Sequence, residues 1–498
     1  MEPTPSSNGT AEQGATRRLV AKNALYLTLS QAATVPVSVL LNAMMARYLG
    51  AEAFGYIYLA ATFSGFGMLA VGWGHDGVLP AMVAQDRSTA GALLGTSFAW
   101  RAGAALFVYV VLAALCHFLG YNAELQWALG LTYVGTVLSM FVAACKDTIR
   151  GFERADIPAL AHVGQQFLVA ALVVPVLLLG GRMRSTLAVT AAAGAIVFIF
   201  IVRSLRSVGI GRVSLQRHAF KALFIGGAPF VVNGLAMALQ PNIDAIYLSK
   251  FGSLEAVGWF AVARRLVGLL LFPAAALIGA LYPTLCRLWV SDKQEFRRTS
   301  QGSLHSVALL VVPIALGCGL FPDVGIAIFN KETFGPAADD LRVLSFYLFL
   351  VYFSMPLGTC ILAAGKQRAW SVVQSLCVVV SLVLDPLLIP WFELRYGNGG
   401  LGPCVASVAS ELLVVGGGIL LMPAGIFDRA LWRSLLHTCL AGLGMAGVAL
   451  ALRSITPFLA APIAVFAYGA GLWITGEITR SHIAQVRGVI TRKLSRNS

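Results

Sequence analysis

Three arginines lie deep inside long apolar stretches of this chain: Arg101, Arg264 and Arg265. A charged side chain at the centre of a bilayer costs about 2.5–3.5 kcal/mol, so it normally faces a cavity or a partner. A guanidinium stays charged at every physiological pH and forms paired hydrogen bonds to phosphate. We therefore predict that these arginines bind an anionic, phosphate-bearing substrate. The alternative is that one of them pairs with Asp244 and only holds the protein together.

Acidic and amide side chains form a second set within the apolar stretches. The acidic ones are Asp244, Asp385 and Glu411. A buried carboxyl group can bind and release a proton as its surroundings change, so these three are candidates for coupling transport to H⁺ or Na⁺. Asn233 and Gln240 precede Asp244 along the chain. Asn42, in the first half of the chain, aligns with Asp244 in the internal repeat described below. We predict that these three amides contact the substrate.

The sequence contains no motif that would use a nucleotide directly. Gly442 to Gly447 matches G-x-G-x-x-G, but it lies inside an apolar stretch with no preceding strand, which is typical of a close-packing helix face. None of the eight cysteines forms a C-x-x-C pair. We therefore predict no catalytic centre, no metal site and no cofactor.

The composition excludes a soluble enzyme. The 498 residues are 58% hydrophobic and 12% charged, whereas a soluble globular protein is roughly 45–50% apolar and about 25% charged. Apolar runs of about 20 residues recur and indicate transmembrane helices. We predict an all-α integral membrane protein with about fourteen spans. Their approximate ranges are 23–46, 54–73, 91–119, 125–146, 158–180, 185–203, 222–249, 255–285, 303–329, 340–363, 369–390, 400–422, 434–452 and 457–476.

The basic residues show on which side each loop lies. Most of the 36 lysines and arginines fall in alternate connecting segments, and such a bias places those segments and both termini in the cytoplasm. The net charge of +14 therefore points to a membrane surface and not to nucleic acid. We predict a disordered tail at 1–16 and a basic tail at 478–498 that lies on the anionic inner leaflet.

The chain also repeats itself with a spacing of about 200 residues. The set Gly50, Glu52, Ala53, Gly55 and Ala60 recurs as Gly252, Glu255, Ala256, Gly258 and Ala263. Duplicated membrane halves are typical of transporters that rock one half against the other. The repeat predicts a first lobe at 17–210, a second lobe at 211–425, and two extra helices at 426–477.

Four motifs together resemble one known family. They are Met45 to Tyr56, Arg150 to Arg154, Asn242 to Trp259, and Leu281 to Leu285. In this order they are similar to the bacterial polysaccharide (O-antigen and exopolysaccharide) flippases of the multidrug/oligosaccharidyl-lipid/polysaccharide exporter superfamily. The resemblance covers about residues 17–425.

The resemblance implies two pseudo-symmetric six-helix lobes around a central cavity, plus two C-terminal helices. It implies that an undecaprenyl-diphosphate-linked oligosaccharide passes from the cytoplasmic to the outer leaflet of the bacterial inner membrane by alternating access. Arg47, Arg150 and Asp244 stand in the matching motifs, and we predict that both arginines contact the substrate. The implied partners are membrane lipids, a glycan polymerase and a chain-length regulator, in lipopolysaccharide or exopolysaccharide biosynthesis.

Two alternatives remain open from the sequence. A cation-coupled multidrug exporter would have the same architecture, but it would favour acidic residues in its cavity, whereas the buried charge here is mainly basic. A membrane glycan polymerase or ligase usually needs a sizeable outer loop, and the predicted outer loops are short. We therefore predict a transporter and not an enzyme.

Overall fold

The computed structural model describes residues 7–210, 213–452 and 457–477. Within the helices, the side chains of 7–25, 27, 28, 32, 229, 232–241, 280 and 457–459 lie outside the description. Every regular element in the described ranges is a helix, including one 3₁₀ turn at Arg87–Thr89. The α-helices are α1 (Ser7–Gly72), α2 (His75–Gln85), α3 (Ala90–Phe118), α4 (Ala123–Gly151), α5 (Asp156–Leu178), α6 (Met183–Ser207), α7 (Arg217–Phe251), α8 (Leu254–Leu270), α9 (Phe272–Ser291), α10 (Lys293–Leu320), α11 (Pro322–Ala327), α12 (Lys331–Phe334), α13 (Ala337–Ala363), α14 (Gln367–Tyr396), α15 (Leu401–Leu421), α16 (Arg429–Ala451) and α17 (Pro457–Ile474).

The described residues contain eleven helical segments that are long and apolar enough to cross a membrane. The prediction of an all-α membrane protein is confirmed, and the count of fourteen stays a prediction. The first two predicted spans lie in one helix, α1, which breaks at Gly50 (φ 83°, ψ 173°) instead of forming a loop. That conformation is open essentially to glycine alone. The predicted ninth span, 303–329, ends earlier, at Leu320.

Residues 7–16 of the predicted disordered tail belong to α1, which begins at Ser7. The predicted bounds of this tail stay a prediction. The apolar stretch that follows continues the same helix.

The chain divides into two compact units, residues 1–249 and 250–498. The boundary falls near the end of α7, whereas the repeat predicts a lobe boundary at residue 210. The first unit has a core of fully buried aliphatic side chains, including Leu94, Ile149 and Ile201. The predicted lobe boundaries remain predictions. In the structure, α7 belongs to the first unit as far as residue 249.

The second unit packs its helices through small residues. A Cβ added at Gly358 on α13 would lie 2.7 Å from the indole of Trp370 on α14. A Cβ added at Gly418 on α15 would lie 3.0 Å from Leu357. Small residues of this kind let membrane helices approach closely, which is where their packing energy comes from. Together α13, α14 and α15 form a close-packed part of this unit.

The last two helices are joined to α10 near the middle of that helix. The Glu477 carboxylate lies 2.9 Å from Nδ1 of His437 and 3.2 Å from Nε2 of His305, and it accepts a hydrogen bond from Ser434. The Tyr468 hydroxyl donates to the carbonyl of Leu309 at 3.1 Å. These bonds connect α10 and α16 with the end of α17.

We expect Glu477→Gln to destabilise the protein at neutral pH by about 1.5–3 kcal/mol, the usual contribution of a charged hydrogen bond. Burial acts to raise the pKa of Glu477, but the bonds from Ser434 and His437 outweigh it and leave the pKa below its ordinary value of 4.5. The carboxylate therefore contributes stability above pH 4.5 that is lost as the pH falls through the lower folded-state pKa. Thermal denaturation in detergent should show the variant's deficit shrinking below that pH. A deficit of equal size at every pH would contradict this role.

Candidate functional site

Arg264 and Arg265 lie about two thirds of the way along α8, in the second unit. Ser253 begins the helix by accepting a hydrogen bond from the Ala256 amide at 3.2 Å. The four residues before Arg264 are fully buried, whereas Arg264 and Arg265 are only partly buried. Neighbouring helical residues point about 100° apart, so the two guanidinium groups reach different surroundings.

The Arg264 guanidinium is held between aromatic rings. Its central carbon lies 5.4 Å from the ring centre of Phe260 and 5.1 Å from that of Tyr347. Such contacts attract a cation to the ring face without using its N–H donors. Glu411 lies within electrostatic range of Arg264 and accepts a hydrogen bond from the Ser354 hydroxyl. The arrangement orients a cation inside the second unit and partly compensates its charge.

The far end of α8 is fixed by α13. The Tyr352 hydroxyl donates to the carbonyl of Leu270 at 2.6 Å, at the point where α8 ends. Pro273 occupies the first turn of α9, where a proline is tolerated because it has no N–H to donate. Tyr347 and Tyr352 on one helix therefore determine both the direction of α8 and the position of Arg264.

The other acidic candidates of this unit are enclosed. Asp385 on α14 is 0% exposed and lies one helical turn from Ser381, whose hydroxyl is 3.3 Å from that of Ser410 on α15. Glu411 is 7% exposed. A role of either residue in ion coupling stays a prediction.

In the first unit, Arg101 is 1% exposed and bonded on two sides. It donates from Nη1 to the carbonyl of Met140 at 2.7 Å and from Nε to the Ser97 hydroxyl at 3.2 Å. Asp147 and Asp76 lie within electrostatic range. In this conformation the guanidinium is engaged inside the helix bundle, and its predicted role in phosphate binding stays a prediction.

The remaining predicted residues are distributed along the first unit. Arg150 is half-exposed and pairs with Asp147 at 3.1 Å. Asn42 donates to the Ser38 carbonyl of its own helix at 2.8 Å, and Arg47 is exposed. Asp244 is 2% exposed. The side chains of Asn233 and Gln240 lie outside the described residues.

The structure thus brings some of the predicted residues together in each unit. Arg264 lies within electrostatic range of Glu411 in the second unit, and Asp147 lies within range of both Arg101 and Arg150 in the first. Sequence reasoning missed several partners of these residues. The missed partners are Phe260, Tyr347, Ser354 and Ser97. The contact of Phe260 with Arg264 could have been predicted, because residues four apart share a helix face.

An apolar groove lies between α10, α13 and α16 in the second unit. Its volume is about 570 Å³, and its walls include Leu316, Phe346 and Leu443. Arg342, near the start of α13, lies at one end. A second apolar cavity of about 220 Å³ shares Val312 and Phe349 with it and extends toward the other end of α10.

Comparison with known proteins places these features in a family. The family model described as "Polysaccharide biosynthesis protein" matches residues 20–289, more than half of the chain. An uncharacterized membrane protein of Methanocaldococcus jannaschii is 25% identical over 186 residues. The chain spans 36% of the length of that relative.

Solved structures share the fold at low sequence identity. The lipid II flippase MurJ in an inward closed conformation matches with a TM-score of 0.69 at 13% identity, over 90% of this chain and 98% of that one. An inward-facing multidrug resistance MATE transporter of the MOP superfamily matches with a TM-score of 0.61 at 16% identity, over 79% and 97%. The predicted resemblance is confirmed, and the chain belongs to the polysaccharide biosynthesis protein family.

Proposed function

We propose that this protein moves an undecaprenyl-diphosphate-linked oligosaccharide from the cytoplasmic to the outer leaflet of the bacterial inner membrane by alternating access. The observation that carries the proposal is the Arg264–Arg265 pair, partly buried in the interior of an apolar helix. A diphosphate is the costly part of such a lipid to bring into hydrocarbon, since an isolated charge there must be paired. Two adjacent guanidinium groups supply that pairing.

The chemistry of the arginine pair suits an anionic substrate. Glu411 lies within electrostatic range of Arg264, and both guanidinium groups carry a positive charge at every physiological pH. Arginine matches phosphate oxygens with two parallel hydrogen bonds, a geometry that lysine does not provide. Arg47 and Arg150, with Asn42, Asn233 and Gln240, are proposed to contact the diphosphate or the sugars at other stages of transport.

The groove between α10, α13 and α16 suits the lipid part of this substrate. Its walls are almost entirely apolar along its length, with Arg342 at one end. Burial of hydrocarbon contributes about 25 cal/mol per Å² removed from water, and a polyprenyl chain offers only such surface. We propose that one segment of the polyprenyl chain lies here while the head group is carried.

Energy for transport would come from an ion. Asp244, Asp385 and Glu411 are the proposed sites for H⁺ or Na⁺, because each is a nearly enclosed carboxyl group within an apolar helix. In the cell we expect the protein to work beside a glycan polymerase and a chain-length regulator, for lipopolysaccharide or exopolysaccharide. A multidrug exporter is the competing function, since MATE transporters share the fold.

Ligand-induced stabilisation distinguishes the two functions. We expect a polyprenyl-diphosphate oligosaccharide to raise the thermal stability of the purified protein, by about 2.7 kcal/mol at a hundredfold excess over its Kd. The same lipid glycan without its diphosphate serves as the matched control and should stabilise much less. Stabilisation by a hydrophobic cationic dye alone would favour the multidrug exporter and contradict the proposal.

A further inference from the structure

The junction between α1 and α2 touches the backbone of α7 directly. Between the two helices, Trp73 and Gly74 adopt left-handed conformations with φ of 45° and 66°. A Cβ added at Gly227 would lie 2.0 Å from the Trp73 carbonyl oxygen, and one added at Gly74 would lie 2.4 Å from the Gly227 carbonyl oxygen. Only glycine fits at either position, so α7 and the junction are in backbone contact.

Aromatic side chains seal this contact. The Trp73 indole N–H donates to the carbonyl of Phe224 on α7 at 3.0 Å, and the two rings stack with centroids 4.4 Å apart. Trp100 on α3 meets the Phe224 ring edge-on at 5.5 Å. Such ring pairs contribute about 0.5–1.5 kcal/mol each beyond the area they bury.

The segment that leads into α7 is attached to the same unit. The amide of Ser214 donates to the Gly91 carbonyl at 3.2 Å, and the amide of Gln216 donates to the Thr96 hydroxyl at 3.2 Å. A Cβ added at Gly95 would lie 2.4 Å from the Ser214 carbonyl oxygen. Residues 214–230 therefore dock as one continuous strip, which we call the α7 strip.

The other side of the junction is anchored within the first unit. His75, the first residue of α2, lies 2.9 Å through Nδ1 from the Ser97 hydroxyl, which also accepts from Arg101. Arg101 in turn donates to Met140 on α4. Three consecutive residues, 73 to 75, thus contact the α7 strip on one side and a buried hydrogen-bond chain on the other. These contacts hold the junction from both sides.

Chain connectivity couples the strip to the second unit. Only Gly252 and Ser253 separate the end of α7 from α8, which carries Arg264 and Arg265. The repeat also assigns α7 to the second lobe. Movement of α8 during transport would therefore pull on a strip that is held by the first unit.

We propose that the α7 strip is the inner gate of this transporter, closed in this structure by the Gly74–Gly227 contact and opened when the strip leaves the α1–α2 junction. This proposal rests on the proposed transport function. In this proposal Trp73, Gly74 and Gly227 form the closing contact. Arg101 is a positioning residue, because it bonds the Ser97 hydroxyl that also contacts His75. The charge distribution predicts that this end of α7 faces the cytoplasm.

A disulfide across the contact tests the gate. A Cβ added at Gly226 on the strip would lie 3.9 Å from the Cβ of Val78 on α2, within the range of about 3.5–4.5 Å that a disulfide requires. In Val78→Cys/Gly226→Cys, we expect oxidation to form the bond and to reduce delivery of lipid-linked glycan to background. A reducing agent should restore delivery.

A second pair provides the matched control. A Cβ added at Gly417 on α15 would lie 3.5 Å from the Cβ of Val373 on α14, so Val373→Cys/Gly417→Cys places an equivalent disulfide inside the close-packed part of the second unit. Export should continue in this oxidised control and in each single-cysteine variant of the gate pair. Equal inhibition of the control would overturn the gate, as would a gate pair that does not crosslink or that exports normally when oxidised.

Hydrogen exchange provides a readout that needs no substrate. In the reduced gate variant, amides of the strip should exchange faster than in the oxidised variant, because the strip then leaves the junction transiently. Equal exchange in the two states would overturn the gate. If the proposed substrate is wrong, unmodified protein will fail to deliver lipid-linked glycan while this exchange difference persists, so the two failures are distinguishable.

Discussion

Arg264→Ala combined with Arg265→Ala is expected to stop lipid-linked glycan from reaching the outer leaflet while the amount of protein in the membrane is unchanged. A hydrogen bond to a charged group contributes about 1.5–3 kcal/mol, so losing two arginines would cost roughly 3–6 kcal/mol, a factor of about 10² to 10⁴ in rate. Accessibility of the glycan to an impermeant probe on the outer surface measures the effect.

An adjacent arginine pair on the same unit serves as the control. Arg297 and Arg298 lie exposed near the start of α10, and their replacement by alanine should leave export unchanged. Arg264→Lys with Arg265→Lys separates charge from geometry: it should restore export only partly, because an ammonium cannot form the paired bonds. Normal export in the double alanine variant would end the proposal that these residues bind the diphosphate.

Arg101→Ala is expected to destabilise the folded protein by about 3–5 kcal/mol, the usual cost of truncating a large buried side chain or of breaking a buried charged network. Arg101 is one of the largest fully buried side chains, and the variant would leave the Met140 carbonyl and the Ser97 hydroxyl without its bonds. Thermal denaturation in detergent measures the loss.

The same variant separates two roles of Arg101. Arg154→Ala is the control, since Arg154 lies half-exposed and pairs only with the nearby Asp156, and surface changes usually stay within about 0.5 kcal/mol. An Arg101→Ala protein with normal stability but no transport would show that Arg101 contacts the substrate, as the sequence alone predicts. Loss of stability would show that it holds the α1–α2 junction in place.

The features of the fold that follow from local pattern were predictable. Apolar runs predict membrane helices because every backbone group must be satisfied within its own segment in a bilayer. Arg264 was found because a charge inside such a run is conspicuous. The break at Gly50 was harder to predict from the sequence, because a glycine fits either a loop or a positive-φ kink inside a continuous helix.

The contacts that orient the arginines depend on tertiary structure. Tyr347 on α13 contacts Arg264 on α8, and Ser354 on α13 donates a hydrogen bond to Glu411 on α15. The partners in each contact are far apart in the sequence, so no local pattern predicts either contact. Likewise, nothing in the spacing of Gly74 and Gly227 predicts that their backbones touch. The enclosure of Arg101 could not be deduced either, because a buried arginine and a cavity-lining arginine look the same in a sequence.

Transport by the purified protein in liposomes tests the central claim most directly. A polyprenyl-diphosphate oligosaccharide placed in both leaflets is exposed to an impermeant glycosidase outside the liposomes. With the protein present, the enzyme should also reach the lipid that began in the inner leaflet, and Arg264→Ala with Arg265→Ala should abolish this. If the inner-leaflet lipid stays as protected as in protein-free liposomes, the protein is not a flippase for this substrate.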